Sequence, residues 1–385
     1  MKKFFIRFFS LLSSISFLLA GCSASHSQQT IEQNAPSAGH TNSVSQSSGP
    51  DGSSQRDPIS LTHEIIKLED GLEAVRFDGD YGFSNFLAQG GASSDSEVIE
   101  YLAHNLLGNL NFSGIINGLF GCSTLAATSP TGDALFGRNF DWNTCNAMVV
   151  AAYPHEGYAS ISTVNMDFIT QGAGKSPVGM ALKMDQVRTL AALYAPLDGM
   201  NEAGLAVSVN MIQDHADINQ NTGKPGITTT TAIRLLLDQA SSTGEALDLL
   251  KQYDMHASMG MMVHFAIADR FGRHVAVEYV NNEMIVTETP VLTNFYLAEG
   301  EKNGIGTQQS HERFQILTDL ITQNETMTET DVRDALSRVS KGNFGEFEST
   351  EWSIVMNLAT GEALYYHREN YQNQYLFAIS RRLSK

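Results

Sequence analysis

The stretch that decides the fold is GCSTLAATSPTGDALFGRNFDW, residues 121–142. It holds two strand-like runs, Cys122 to Thr128 and Ala134 to Trp142, on either side of Ser-Pro-Thr-Gly-Asp at 129–133. Proline, glycine and aspartate together are a strong turn signal between two such runs. The pattern therefore predicts a β-hairpin.

The predicted hairpin brings a thiol, a guanidinium and a carboxylate together. If the chain reverses around Thr131, Cys122 lies opposite the residues from Arg138 to Asp141. An arginine beside a thiol favours the thiolate and lowers a pKa that starts near ~8.5. Because Arg138 and Asp141 are three positions apart, a regular strand points them to opposite faces, so we expect a bulge or strand end near Asn139. From these residues alone, a core cysteine beside a surface ion pair remains the alternative.

The chain after Trp142 alternates further hairpins with grouped helices, and a helix capped by Ser94 and Glu97 precedes the hairpin. The pattern predicts strands at 74–77, 205–210, 264–268, 274–280 and 284–292, and helices at 230–240, 246–253 and 312–322. Long runs of sheet with helices between them are typical of layered α+β domains rather than of alternating βαβ units.

The first residues indicate export. Residues 1–21 have a basic start and a short apolar run typical of a signal peptide, and they end at Leu-Ala-Gly before Cys22, as in a bacterial lipobox. We expect a lipid on Cys22 that anchors the protein to the extracytoplasmic face of a bacterial membrane. The alternative is an ordinary cleaved signal with an incidental cysteine. Residues 22–58, rich in Ser, Gly, Gln and Asn, are predicted to form a flexible tether.

Composition excludes several functions. The formal net charge of -18 is unsuited to nucleic acid, which needs a concentrated basic face. No CxxC pattern or Cys/His cluster has the spacing of metal ligands, so we expect neither metal nor cofactor. With Cys22 assigned to lipid, Cys122 and Cys145 could form a disulfide in an exported protein.

Several segments in the same order resemble one superfamily, the choloylglycine hydrolases and acid amidases. These N-terminal-nucleophile hydrolases include bile salt hydrolases, penicillin V acylases, acid ceramidase-like amidases and the acyltransferases of penicillin biosynthesis. The resemblance covers roughly Gly71 to Leu376 and implies a four-layer αββα sandwich of two antiparallel sheets. The matching segments are GCST at 121–124, LFGRNFDW at 135–142, DGMNEAGL at 198–205 running on to Asn210, VLTN at 291–294 and SHERF at 310–314.

The resemblance also assigns catalytic roles. A cysteine at a new N-terminus carries its own general base, an α-amine with a pKa of ~7.7–8.0, so no histidine is required. The match is displaced at one position, because the family's asparagine aligns with Met211 rather than with the residue before it. By this resemblance Cys122 is the nucleophile, Arg138 favours the thiolate, Asp141 orients the amine, Asn210 and Asn294 donate to the oxyanion, and Arg313 steadies the nucleophile's surroundings.

A free amine on Cys122 requires cleavage of the Gly121–Cys122 bond, which the resemblance implies the chain performs itself. Residues 59–121 are then a pro-segment or small subunit, and 122–385 the catalytic domain. The implied activity is hydrolysis of a linear amide in an N-acyl small molecule through an acyl-thioester. An acyltransferase, an unprocessed ligand-binding lipoprotein and a papain-like protease are the alternatives, and the particular amide and the oligomeric state stay open.

Overall fold

The computed structural model describes residues 57–106, 121–170, 181, 184–342 and 349–380. These residues belong to one compact unit, Gln55–Lys385. The predicted signal peptide, Cys22 and nearly all of the predicted tether lie outside the described residues, as does 107–120 before the predicted cleavage point. None of the helices in the described ranges is long and apolar enough to cross a membrane.

Seventeen strands form in the described residues. They are β1 Ile66–Glu69, β2 Leu72–Asp78, β3 Gly121–Thr128, β4 Ala134–Trp142, β5 Ala147–Tyr153, β6 Ser160–Asn165, β7 Asp198–Asn201, β8 Leu205–Met211, β9 Gly226–Thr228, β10 Asp254–His256, β11 Val263–Asp269, β12 His274–Val280, β13 Glu283–Glu288, β14 Val291–Leu292, β15 Ser349–Asn357, β16 Glu362–His367 and β17 Tyr375–Ala378.

The α-helices among the same residues are α1 Phe83–Ala88, α2 Asp95–Tyr101, α3 Met166–Thr170, α4 Asp185–Leu193, α5 Thr229–Gln239, α6 Thr243–Leu250, α7 Gln308–Gln323 and α8 Glu329–Arg338. A π-helical turn, Leu102–Leu106, continues α2, and a 3₁₀ turn covers Ser258–Gly260. Ser94 caps α2 as predicted, with its side chain accepting a hydrogen bond from the Glu97 N–H.

The strands form two large sheets that pack face to face. One sheet has nine strands in the order β1-β2-β5-β6-β7-β8-β11-β12-β13, and the other has six in the order β14-β3-β4-β15-β16-β17. All neighbours in both sheets are antiparallel except β2 and β5, which run parallel. Strands β9 and β10 form a separate parallel pair.

Helices cover the outer face of each sheet. Helices α4, α5 and α6 lie against β5, β7, β8 and β11 of the nine-stranded sheet, whereas α7 and α8 lie against β3, β4 and β15 of the six-stranded sheet. A larger apolar core contains side chains from both sheets, among them Phe140, Val207 and Trp352. A second core joins Leu125 and Leu135 of the six-stranded sheet to Leu336 of α8. The architecture is the predicted four-layer αββα sandwich.

The hairpin β3–β4 has the register that its turn predicted. Gly121 lies opposite Asp141, Cys122 opposite Phe140 and Thr124 opposite Arg138, without interruption along the pair. The prediction of a bulge or strand end near Asn139 was therefore wrong.

The irregularity lies instead in the neighbouring strand β15, whose register with β4 shifts between Thr350 and Trp352. Because β4 stays regular, Arg138 and Asp141 keep opposite faces. The Arg138 side chain reaches Asp198 of the nine-stranded sheet, and the Asp141 side chain reaches Arg313 of α7.

The strand predicted at 284–292 is two strands in different sheets. β13 pairs with β12 at the edge of the nine-stranded sheet, and β14 pairs with β3 in the six-stranded one. Pro290 separates them, since it has no N–H to continue a ladder. Its carbonyl accepts a 2.7 Å hydrogen bond from the Ala126 N–H, which directs the chain from one sheet to the other. This crossing places the residues after Leu292 beside Cys122.

Candidate active site

Cys122 is the second residue of β3, and only 2% of it is exposed. Both of its backbone polar groups contact side chains from distant parts of the chain. Its N–H donates to Asn294 Oδ1 at 2.9 Å, and its carbonyl accepts from Arg313 Nη1 at 2.6 Å. The backbone of Cys122 is therefore oriented by tertiary contacts as well as by its strand.

The Arg138 guanidinium is fully buried between the two sheets. Its Nε donates to Asp198 Oδ2 at 2.5 Å, and its Nη1 donates to Asn210 Oδ1 at 2.9 Å. Asp198 Oδ2 also accepts from the Trp352 indole at 2.9 Å. Nη2 of Arg138 has no hydrogen-bond partner among the described residues. A buried cation of this kind requires a paired anion, and Asp198 supplies it.

Opposing effects act on the pKa of the Cys122 thiol. Burial raises its pKa above the ordinary value, and this effect is the largest. The Arg138 charge lowers the pKa, whereas the Asp141 carboxylate raises it. A hydrogen bond from the Asp141 N–H and the charge of Arg313 lower it further. Arg138 thus acts in the predicted direction, but in the uncleaved chain burial prevails and the thiol pKa is raised rather than lowered.

Asp141 is fully buried at the end of β4, with its two oxygens in different environments. Its Oδ1 accepts from Thr350 Oγ1 at 2.7 Å. Its Oδ2 lies 3.5 Å from Arg313 Nη1 and has no hydrogen-bond partner within the described part of the chain. The acceptor for the Cys122 N–H is Asn294, whereas the resemblance assigned that position to Asp141. Asp141 therefore retains a buried acceptor close to the nucleophile.

Asn294 lies two residues after the end of β14 and connects the nucleophile to its neighbours. Its Oδ1 accepts from Cys122 N and, at 2.7 Å, from Arg313 Nη2. Its Nδ2 donates to the carbonyl of Met211 at 2.7 Å, and its backbone N–H donates to Ser310 Oγ at 2.6 Å. One N–H of Nδ2 remains available for a further acceptor.

Asn210 is held by partners on both sides of its amide group. Its Oδ1 accepts from Arg138 Nη1, and its Nδ2 donates to the Leu292 carbonyl at 3.2 Å. The side chain therefore positions Arg138 and the start of the segment that carries Asn294. The neighbouring Met211 contributes its backbone carbonyl to Asn294.

Arg313 lies in the second turn of α7, whose N-cap Thr307 accepts a hydrogen bond from the Ser310 N–H. Besides Cys122 O and Asn294 Oδ1, its guanidinium donates to Ser123 Oγ at 2.5 Å. Only 7% of the residue is exposed. Arg313 thus connects α7 to β3 and to Asn294.

The other cysteine is separate from this arrangement. Cys122 and Cys145 are both free thiols, so the disulfide considered from the sequence does not form in the structure. The Cys145 N–H donates to Glu351 Oε2 at 3.0 Å, at the irregular position of β15. Within the described ranges, no group of three or more His, Cys, Asp or Glu side chains could hold a metal ion.

The structure brings Cys122, Arg138, Asp141, Asn210, Asn294 and Arg313 together through these contacts. Sequence reasoning missed Asp198 and Trp352, which hold Arg138, and Thr350, which holds Asp141. Asp198 opens the DGMNEAGL segment, and a carboxylate before a buried strand is a candidate partner for a buried arginine. No local signal marks Trp352 or Thr350, because their role depends on the β4–β15 pairing.

A family model of linear amide C–N hydrolases, choloylglycine hydrolase family, matches residues 122–295. The matched residues make up 174 of the 385 in the chain and are similar to this family. On this match the protein is a hydrolase of linear amide C–N bonds. The match begins at Cys122. No curated protein matches the chain.

Three solved structures are similar to this chain at low sequence identity. A mutant of conjugated bile acid hydrolase from Clostridium perfringens has a TM-score of 0.50 and 18% identity, over 67% of this chain and 92% of that one. Penicillin V acylase from Agrobacterium tumefaciens has a TM-score of 0.46 and 16% identity, over 64% and 83%. An N-acylethanolamine-hydrolyzing acid amidase ortholog from Caenorhabditis elegans has a TM-score of 0.41 and 14% identity, over 67% and 100%. The first of these supports the αββα architecture.

Proposed function

We propose that this chain is a self-cleaving cysteine N-terminal-nucleophile hydrolase that acts on a linear amide of an N-acyl small molecule. The observation that carries the proposal is the environment of Cys122. Its N–H and carbonyl are held by Asn294 and Arg313, and its buried thiol lies beside the Arg138 charge. The start of the family match at Cys122 supports the same assignment.

The reaction needs a base, which the α-amine of a newly N-terminal Cys122 supplies with a pKa near ~7.7–8.0. Cys122 Sγ attacks the amide carbonyl carbon, and the amine takes the thiol proton and passes it to the leaving nitrogen. The C–N bond breaks, and the acyl group stays on sulfur as a thioester. Water then attacks the thioester, losing a proton to the amine, and releases the carboxylic acid and the thiol.

Neighbouring polar groups suit the charges that develop. The remaining N–H of Asn294 Nδ2 can donate to the oxyanion, and one such donor contributes about 3–4 kcal/mol in comparable sites. Asp141 Oδ2, which accepts no hydrogen bond among the described residues, can accept from the protonated α-amine once that amine is free. Arg138 favours the thiolate.

Self-cleavage at Gly121–Cys122 follows from the need for this base, because the nitrogen of an intact peptide bond is delocalised into its carbonyl and cannot act as one. Cys122 Sγ attacks the Gly121 carbonyl carbon, the peptide C–N bond breaks, and the nitrogen gains the thiol proton. Water then hydrolyses the resulting thioester. The pro-segment would stay bound without a covalent link, since β2 pairs with all of β5 and the Tyr81 hydroxyl donates to Asp238.

Intact mass and N-terminal sequencing of purified protein test the cleavage. We expect a chain that begins at Cys122 and co-elutes with the pro-segment, whereas Cys122→Ala stays in one piece. Cys145→Ala is the matched control, because that buried thiol takes no part and should allow cleavage. A fully active protein that remains one chain would refute the mechanism.

Release of primary amine from a substrate panel tests the chemistry. The panel contains a conjugated bile salt, penicillin V, an N-acylethanolamine, an N-acyl amino acid and an acyl-homoserine lactone, each with and without hydroxylamine as acyl acceptor. We expect amine release that Cys122→Ala lacks and Cys145→Ala retains. Product formation only with the acceptor would instead identify an acyltransferase, and absence of turnover with a bound ligand would favour a binding protein.

Export and lipid anchoring belong to the same proposal, and they rest on the residues around Cys22. Radiolabelled palmitate fed to expressing bacteria should label the wild-type protein and not Cys22→Ser. Equal labelling of both would refute lipidation at this cysteine.

A further inference from the structure

Three buried polar side chains lie side by side on neighbouring strands of the nine-stranded sheet. Asn210 of β8 is opposite His264 of β11, and His264 Nδ1 lies 2.9 Å from Glu278 Oε1 on β12. Each of the three residues is 0% exposed. We call Asn210, His264 and Glu278 the polar row. Its cost of burial must be offset by hydrogen bonds to other groups, since buried polar side chains are unfavourable without partners.

Those partners are backbone groups of one short segment, 292–298, which contains Asn294. Asn210 and His264 donate to consecutive carbonyls, and Glu278 accepts from consecutive N–H groups. The contacts are Asn210 Nδ2 to Leu292 O at 3.2 Å, His264 Nε2 to Thr293 O at 3.0 Å, and Glu278 from Leu297 N at 2.9 Å and Ala298 N at 2.5 Å. The polar row therefore contacts the backbone on both sides of Asn294.

Both ring nitrogens of His264 face hydrogen-bond acceptors. Nδ1 lies 2.9 Å from Glu278 Oε1, and the Glu278 carboxylate also accepts from two backbone N–H groups. Nε2 lies 3.0 Å from the Thr293 carbonyl, which can only accept, so Nε2–H is the donor of that bond. The ring therefore connects Glu278 on one side to the segment 292–298 on the other.

We propose that His264 is a positioning residue for Asn294, acting through its Nε2–H bond to the Thr293 carbonyl. On the opposite side of the segment, Ser310 Oγ accepts from the Asn294 N–H at 2.6 Å. The peptide between Thr293 and Asn294 is therefore held at both its carbonyl and its N–H. This places Asn294 Oδ1 on the Cys122 nitrogen and directs Nδ2 toward the oxyanion. The inference rests on the proposed function of Cys122 and Asn294.

Two isosteric variants separate the two bonds of His264. In His264→Gln, Nε2 of glutamine occupies the place of histidine Nε2 and keeps the bond to Thr293 O, whereas the bond to Glu278 is lost. In His264→Asn, Nδ2 replaces histidine Nδ1 and keeps only the bond to Glu278. Both variants remove the imidazole ring, so an effect of losing the ring alone is the same in both.

The variants are compared by kcat and KM for amine release, by thermal midpoint, and by amide hydrogen exchange of the peptide spanning 292–298. We expect kcat of His264→Asn to fall at least about tenfold below that of His264→Gln, because small displacements of catalytic groups slow the chemical step. KM should change little. Exchange at 292–298 should rise in His264→Asn and stay near wild type in His264→Gln.

Equal losses of kcat in both variants would overturn the positioning role. Losses of kcat that only follow the fall in thermal midpoint would overturn it as well. Hydrogen exchange keeps this outcome separate from the proposed function, because it does not require turnover. If wild type releases no amine in a Cys122-dependent way, the proposed function fails, and exchange still decides the inference. Unchanged exchange at 292–298 in both variants would overturn it.

Discussion

Replacing Asp198 with alanine should destabilise the fold strongly, because it leaves the Arg138 guanidinium buried without its anion. Asp198 Oδ2 accepts from Arg138 Nε at 2.5 Å and from the Trp352 indole at 2.9 Å, and both ionic side chains are 0% exposed. After the substitution, Asn210 Oδ1 is the one hydrogen-bond acceptor that Arg138 retains among the described residues. Removing one partner of a buried ion pair costs about 3–5 kcal/mol. The orphaned indole N–H adds roughly 1 kcal/mol.

The double variant Asp198→Ala, Arg138→Met provides the sharper comparison. With both charges removed, no uncompensated ion is buried, and apolar replacement of a buried pair is often close to neutral. We therefore expect the double variant to be more stable than Asp198→Ala alone. A simple loss of packing predicts the reverse order.

Urea unfolding followed by circular dichroism measures these differences. All variants are made in a Cys122→Ala background, so that none is cleaved and the unfolding chain is the same. If the free energy of unfolding of Asp198→Ala lies within about 1 kcal/mol of the parent's, the reasoning is refuted, because a loss that small is typical of a solvent-exposed ion pair. A double variant less stable than Asp198→Ala would refute it as well.

Two further predictions concern packing and pH. Gly91→Ala should lower the free energy of unfolding by about 2 kcal/mol more than Gly90→Ala, because both glycines have positive φ but only at Gly91 would a Cβ meet a backbone oxygen, at 2.0 Å; equal urea midpoints would contradict this. Hydrogen bonds from His264 and two backbone N–H groups outweigh burial and lower the pKa of Glu278 below 4.5. Ionised Glu278 therefore adds stability above pH 4.5 that is lost as the pH falls through its folded pKa. The difference in unfolding free energy between wild type and Glu278→Gln should therefore shrink as the pH falls below 4.5. A difference independent of pH would contradict the lowered pKa of Glu278.

Local patterns predicted much of the fold. The turn at 129–133 predicted the β3–β4 register, and side-chain capping predicted the start of α2. Both depend on residues that are neighbours in the chain. Prediction failed where neighbours in space decide: the run 284–292 has strand character throughout, yet its two halves pair in different sheets. It also failed at α8, whose capping box of Thr328 and Asp331 could have been recognised.

The sequence by itself determined which groups are available: a thiol within a hairpin, with a guanidinium and a carboxylate on the facing strand. Turn chemistry and strand alternation are properties of adjacent residues, so they can be inferred without the rest of the chain. Only the tertiary structure decided the partners of those groups. Cys122 N bonds a side chain 172 positions away, and Arg138 finds its anion 60 positions away. Such contacts arise from the packing of two sheets, where a buried charge or amide must find whichever partner the fold brings within reach.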